Sequence, residues 1–247
     1  MDRMIYVAMS GAKQALGQQS VVAHNLANLT TNGFRAETSA FRMVPIVGDG
    51  AKTRALVVDS TPGADFTPGV IQRTGRDLDI AVQSKGWIAV RSADGSEAYT
   101  RNGNLQISAN GVLQTRNGNA VLGDGGPISI PNDTLVTIAG DGTVSTVPTG
   151  NRPAANTTVG RLKLVDPPEN ELERGNDGLF RVRGGAPAPA DAKVRVVSGS
   201  LETSNVNAVE QMVKMIALAR QFDMQMKMLQ SAEGNSRQAA QLLTVQG

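Results

Sequence analysis

Residues 1–33 read MDRMIYVAMSGAKQALGQQSVVAHNLANLTTNG, and their spacing decides the fold. Met1, Ile5, Ala8, Ala12, Ala15, Gln19, Val22, Leu26 and Leu29 step by 4, 3, 4, 3, 4, 3, 4 and 3, the heptad rhythm of a helix with one apolar seam. Asp2 suits the start of that helix, and Asn32-Gly33 offers a left-handed stop. The expected helix has about 28 residues and is roughly 42 Å long. Ala8, Ala12 and Ala15 make the seam narrow, while Met9, Leu16, Val21 and Ala23 widen the apolar surface beside it.

The other end of the chain repeats the pattern. Met215, Leu218, Phe222, Gln225, Leu229, Ala232, Ser236, Ala239 and Leu243 alternate steps of 3 and 4, and Met212, Ile216, Ala219 and Met226 broaden the face. Asn207 followed by Glu210 resembles a capping box, from which a helix of about 37 residues would run. Between Asn207 and Gly247 the charges are confined to Glu210, Lys214, Arg220, Asp223, Lys227, Glu233 and Arg237, and Gln is equally frequent. A solvated helix face usually carries dense Glu and Lys pairs. The simplest pairing is an antiparallel hairpin of the two end helices as a coiled coil. One seam cannot bury all these apolar residues, so the ends are expected to enter a multi-subunit assembly. The expected interface is Ile5, Ala8, Ala12, Ala15, Val22, Leu26, Leu29, Met212, Met215, Leu218, Phe222, Met226, Leu229 and Leu243.

The middle reads differently. Residues 36–70 hold Pro45, Gly48-Asp49-Gly50, Pro62-Gly63 and Pro68-Gly69 with little periodicity and read as extended connector. From Leu78 onward, short β-rich runs are expected at Leu78–Val82, Trp87–Arg91, Ala98–Arg101, Leu105–Ile107, Val112–Thr115 and Ala120–Leu122. Later runs are expected at Leu135–Ile138, Arg161–Val165, Leu179–Val182 and Val194–Val197. Asp94-Gly95, Asn102-Gly103, Asn110-Gly111, Asn117-Gly118 and Asp124-Gly125 punctuate the first group at the spacing of an antiparallel meander. The fold class is therefore α+β: long terminal helices paired as an assembly domain around a central antiparallel β-rich domain. The expected partition is 1–35 and 201–247 for the helical domain, 36–70 for the connector and 71–200 for the β domain.

Composition removes several functions. The 247 residues include no Cys, so disulfides, thiolate metal sites and cysteine nucleophiles are excluded. With 5 Phe, 2 Tyr and 1 Trp there is little material for stacking nucleic acid bases, and a net charge of +2 favours neither nucleic acid nor an anionic membrane. No apolar run is long enough to span a bilayer, and the first residues lack the pattern of a cleaved secretory signal. The lone His24 rules out two-histidine metal sites and reads as a surface or interface residue. No GxSxG elbow, phosphate-binding loop or dinucleotide fingerprint is present. Asp77 and Asp79 have Arg73 and Arg76 nearby and read as ordinary ion pairs, and Trp87 reads as strand core. Catalytic residues, metal and cofactor are all expected to be absent.

Several separated stretches then carry a resemblance. Asn25-Leu26-Ala27-Asn28-Leu29-Thr30-Thr31-Asn32-Gly33-Phe34-Arg35 resembles the N-terminal signature of flagellar rod and hook proteins. Gly199-Ser200-Leu201-Glu202-Thr203-Ser204-Asn205-Val206-Asn207 resembles the signature before the family's last helix. Leu78-Asp79-Ile80-Ala81-Val82, Tyr99-Thr100-Arg101-Asn102-Gly103 and Asp141-Gly142-Thr143-Val144 are similar to its central segments. The motif positions carried over are Asn25, Leu26, Ala27, Asn28, Gly33, Phe34, Leu201, Glu202, Ser204, Asn205 and Val206. The opening residues and short central domain are similar to the proximal-rod branch, with the distal-rod branch as the nearest alternative.

The resemblance implies a non-enzymatic subunit of the periplasmic basal-body rod that transmits motor torque toward the hook. Its implied partners are further copies of itself, other proximal and distal rod proteins and the flagellar type III export apparatus, with neither nucleic acid nor membrane insertion. Gly33 and Phe34 would turn the chain outward, and residues 201–207 would lead it back. A reading from a different class is a secreted carbohydrate-binding or adhesive β protein, with Trp87 on the binding face. A third is a simple coiled-coil oligomer.

Overall fold

The structure is a computed structural model that describes residues 2–45, 55–83, 85–148 and 156–244. Met1 of the heptad stripe and the Gly48-Asp49-Gly50 stretch of the expected connector lie outside the described residues. The fold is α+β, with a β-rich centre between an N-terminal and a C-terminal helix.

Helix α1 spans Asp2–Ala27, and helix α2 spans Ala208–Thr244. Neither contains a proline that would break its ladder. Asn207 caps α2, its Oδ1 accepting from the backbone N–H of Val209 at 3.0 Å and Glu210 at 3.3 Å. Glu210 does not complete the box expected from sequence, because its carboxylate pairs forward with Lys214 at 2.7 Å.

Two compact units divide the chain: residues 1–29, 37–65 and 206–247 form one, and residues 30–36 and 66–205 form the other. In the first unit α1 and α2 contact each other, and β1 (Glu37–Pro45) and β2 (Ala55–Ala64) form an antiparallel hairpin that touches α1. The hairpin lies in the stretch read from sequence as connector. Its residues alternate half-buried and exposed along β1, and such shallow, Pro- and Gly-interrupted alternation leaves no marked period to read.

In the second unit the strands are β3 Ile71–Arg73, β4 Ile80–Val82, β5 Trp87–Arg91, β6 Glu97–Thr100, β7 Leu105–Ile107, β8 Leu113–Thr115, β9 Ala120–Gly123 and β10 Gly126–Pro127. They continue as β11 Thr134–Ile138, β12 Thr143–Pro148, β13 Thr157–Arg161, β14 Leu164–Val165, β15 Leu172–Arg174, β16 Phe180–Val182, β17 Val196–Ser198 and β18 Ser200–Glu202. The main sheet runs β15-β16-β6-β5-β9-β8-β7, with β10 added to β9 and β14 to β5. A second sheet is β11-β12-β13, and the returning chain pairs β17 with β4 and β18 with β3. The apolar core joins Ile80, Ile88, Val90, Leu105, Leu113 and Val144, all fully buried.

The meander holds in part. Asp94-Gly95 joins β5 to β6, and Asn110-Gly111 and Asn117-Gly118 close the β7–β8 and β8–β9 hairpins, with Gly111 and Gly118 at φ 76° and 87°. Asn102-Gly103 is not a hairpin turn, because β6 and β7 lie apart in the sheet. Gly103 serves a close approach instead. Its carbonyl accepts from the Ile80 N–H at 3.0 Å, and a Cβ there would stand 1.7 Å from the Ile80 carbonyl oxygen.

Gly103→Ala is therefore expected to destabilise the β-rich unit by about 3 kcal/mol in denaturant unfolding. Gly118→Ala, at a positive φ with open space around it, is expected to lose about 1 kcal/mol. Equal losses for the two variants would refute the close-approach explanation.

Candidate functional site

The two helices show which parts of their apolar surface one chain can hide. Ala8, Ala12, Ala15 and Val22 are buried on α1, and Ile5, Leu26 and Leu29 are half-buried. On α2, Leu218 is buried and Met215, Phe222 and Leu229 are half-buried, whereas Met212 is 51% and Met226 38% exposed. The side chain of Leu243 lies outside the described residues. Small residues occupy the seam because the helices come close: a Cβ on Gly11 would sit 3.0 Å from the Gln225 side chain. The large apolar residues remain outside the seam. Met9 and Leu16 on α1 and Val209, Val213, Ile216, Met224 and Met228 on α2 are all exposed. Val209 and Val213 fall outside the heptad stripe, so a one-seam reading of the sequence passed over them. The signal that could have found them is the large apolar residues that α2 carries beyond its stripe.

The Asn-Leu-Ala-Asn stretch ends α1 and ties it to the hairpin. Asn25 is buried, and its side chain donates to the Glu37 carbonyl at 2.9 Å and accepts from the Glu37 N–H at 2.8 Å, so one amide satisfies both backbone groups of a strand residue. Leu26 is half-buried and Ala27 exposed. Asn28 donates to the His24 carbonyl twice, from its side chain at 3.0 Å and from its backbone N–H at 3.2 Å, which secures the last turn of the helix. His24 is on the surface, 3.9 Å from the Glu37 carboxylate. Val206, just before α2, is buried.

In the β-rich unit, Arg35 and Arg101 from two of the motif stretches converge on a single carboxylate, that of Glu202. Glu202, on β18, is 1% exposed. Its Oε1 lies 2.7 Å from Arg35 Nη1, and its Oε2 accepts from Arg101 Nη1 at 3.2 Å. Oε1 also accepts from the Gly69 N–H at 2.9 Å, and the Glu202 backbone carbonyl accepts from the Gly33 N–H at 2.8 Å. The Arg35 and Arg101 guanidinium carbons stand 6.0 and 5.5 Å from the centre of the Trp87 ring. Trp87 is itself packed against Phe66 and Phe180, at 6.0 and 4.7 Å between ring centres. Burial pulls the Arg101 guanidinium down to about 10, with Glu202 opposing and Arg35 reinforcing the fall, so it stays charged at neutral pH.

The turn feeding this cluster is built for it. Gly33 has φ 68°, and a Cβ there would stand 2.3 Å from the Arg101 backbone. Phe34 is buried beneath the Arg174 guanidinium, 4.5 Å from the ring centre. Asn205 accepts from the Ala36 N–H at 2.7 Å and donates to the Thr67 carbonyl at 3.0 Å. Leu201 is buried, and Ser204 lies half-buried beside Asn205. The sequence placed Arg35, Arg101 and Glu202 inside three separate motifs but gave no sign that they meet.

Other candidates are satisfied within the fold. Asp79 accepts from Thr74 Oγ1 at 2.8 Å and Arg76 Nη1 at 3.1 Å, while Asp77 is exposed. Trp87 is 3% exposed and presents no face to a sugar. A cleft of about 330 Å³ contains Lys163 and Glu97, which pair with each other at 2.7 Å. Among the described residues no group of His, Asp or Glu could hold a metal, and no helix is long and apolar enough to cross a membrane.

Comparison with known proteins gives this arrangement its class. Residues 5–35 match the family described as flagella basal body rod protein, residues 81–146 the flagellar hook protein FlgE/F/G D1 domain, and residues 197–242 the flagellar basal body rod FlgEFG protein C-terminal. The chain belongs to the flagellar basal-body rod protein family, a family of structural proteins and not of enzymes. Flagellar basal-body rod protein FlgF of Salmonella typhimurium and that of Escherichia coli are each 50% identical to it, over 99% of this chain and all of theirs. The rod protein FlgG of Bacillus subtilis is 29% identical over 94% of this chain and 96% of its own.

Removing the central carboxylate strands two buried cations. Glu202→Ala is expected to destabilise the β-rich unit by about 3–5 kcal/mol in denaturant unfolding, and the near-isosteric Glu202→Gln by at least about 2 kcal/mol. A Gln variant as stable as the parent would show that the charge does not organise this region.

Proposed function

We propose that the chain is a packed subunit of the proximal rod of the flagellar basal body, in the periplasm, and that it passes motor torque toward the hook. In this reading α1 and α2 pair as a coiled coil, and many copies stack these pairs into a helical tube. Other copies of the chain and neighbouring proximal and distal rod proteins are the partners. The flagellar type III apparatus exports the chain without a cleaved signal.

The observation that carries this reading is the apolar surface left on both helices after they have covered each other. Large side chains at Met9, Leu16, Met212, Val213, Ile216 and Met224 face water in the single chain. Large apolar side chains exposed in this number mark a surface that another molecule covers. The helical faces are also poor in charge, which suits an environment of neighbouring helices better than water. Torque resistance then follows from close packing, since tightly packed interiors are stiff and transmit strain. The 50% identity to two FlgF relatives, against 29% to a FlgG relative, supports the proximal position over the distal one.

Ile216→Glu and Met212→Glu place a charge on that surface without touching the β-rich core. Each is expected to cut incorporation into isolated basal bodies at least tenfold and to abolish swimming, with the melting of the β-rich unit unchanged. Normal incorporation of both variants would defeat the proposal. In the free chain, amide exchange is expected to be fast along α1 and α2 and slow through β4, β5 and β9, because a broad apolar stripe without neighbours cannot offset the entropy of ordering it. Uniform protection would contradict the dependence on assembly.

A further inference from the structure

We propose that the exposed methionines of α2 are a modification site, at which hydroperoxide-class oxidants form sulfoxides on the unassembled chain and so exclude it from the rod. The inference rests on the assembly role proposed above. With no cysteine in the sequence, thioethers are the only sulfur the chain offers to an oxidant. Met212, Met224, Met226 and Met228 are 51, 58, 38 and 44% exposed, whereas Leu218 on the α1-facing stripe is 9% exposed.

Their placement matters as much as their exposure. At about 100° per residue, Met212 and Met226 fall on one flank of the stripe formed by Gln211, Leu218 and Leu229. Met224 and Met228 fall on the other flank. Oxidation therefore places a polar group on both sides of the helix, whichever neighbour packs there.

The chemistry is self-contained. The thioether sulfur attacks the terminal oxygen of the hydroperoxide, the O–O bond breaks and an S–O bond forms. The sulfur loses two electrons to the peroxide, whose remainder leaves as water or an alcohol after the proton shifts to it. The flexible apolar side chain becomes a polar one with a strong acceptor. A helix–helix interface has its backbone donors already committed, so the new acceptor is buried without a partner. Packing also closes the window, because neighbours that cover α2 shield the sulfurs. Methionine sulfoxide reductases reverse the change, which makes the step a reversible control on subunits awaiting assembly.

The test uses the full chain and hydrogen peroxide. Peptide mass mapping of the treated free chain is expected to find one added oxygen on Met212, Met224, Met226 and Met228, and at least fivefold less on the same residues of treated, isolated basal bodies. In cells given peroxide, incorporation of newly made parent chain is expected to fall at least fivefold, while a variant with Met212→Leu, Met224→Leu, Met226→Leu and Met228→Leu continues to incorporate. Leu conserves volume and cannot be oxidised. The corresponding four Met→Gln changes mimic the polar product and are expected to block incorporation without oxidant, with the β-rich unit melting as in the parent. Peroxide-resistant methionines in the free chain, or peroxide-insensitive incorporation of the parent, would overturn the inference and leave the rod role standing. Absence of the untreated parent from basal bodies would overturn both.

Discussion

One chain cannot bury both of its ends. Two helices in contact cover a single seam, and here the seam is lined by Ala8, Ala12 and Ala15, with Gly11 pressed against Gln225. These small residues let the helices approach, but they contribute little apolar area of their own. The larger payload, from Met9 and Leu16 to Ile216 and Met224, remains in water. Burial of such side chains is the main favourable term in folding and association, so the lowest free energy for this surface lies in contact with neighbouring subunits. Low charge density on α2 and the family's structural role are both consistent with that one constraint.

The β-rich unit solves its own problem independently. Its core is closed by aliphatic residues from several strands, and a second, ionic cluster holds the places where the chain enters and leaves it. Arg35 arrives from the stretch after α1, Arg101 from the end of β6 and Glu202 from the last strand before α2. A buried ion pair is weak evidence of added stability, because desolvation offsets much of its attraction. Its effect here is geometric: one carboxylate demands that three distant parts of the sequence meet, and Trp87 lies against both cations. That requirement explains why residues 30–36 belong to the β-rich unit although helical-unit residues flank them on both sides.

The helices were legible because a period sustained over four or more turns has no competing explanation, and Asn207 announced the start of α2 chemically. Strands such as Trp87–Arg91 and Leu105–Ile107 matched their expected limits because β-branched and apolar runs sit between Gly-containing turns. Sequence reasoning failed where a local signal has two structural meanings. Asn102-Gly103 carries the same dipeptide as Asn110-Gly111, yet the first needs glycine for a close approach to Ile80 and the second for a turn. The β1–β2 hairpin was missed for a different reason. It rests one shallow face on α1, so its side chains carry no sharp alternation.

By itself the sequence determined the fold class, the extent of both helices and the excess of apolar surface they carry, because each depends on composition or on short-range period. Only the tertiary structure decided which apolar residues stay exposed, since that depends on how close two helices approach. It also decided that the three motif residues Arg35, Arg101 and Glu202 form one buried cluster. Pairings between residues 35, 101 and 202 are set by strand order and chain return, and no local pattern of side chains encodes the distance between positions so far apart.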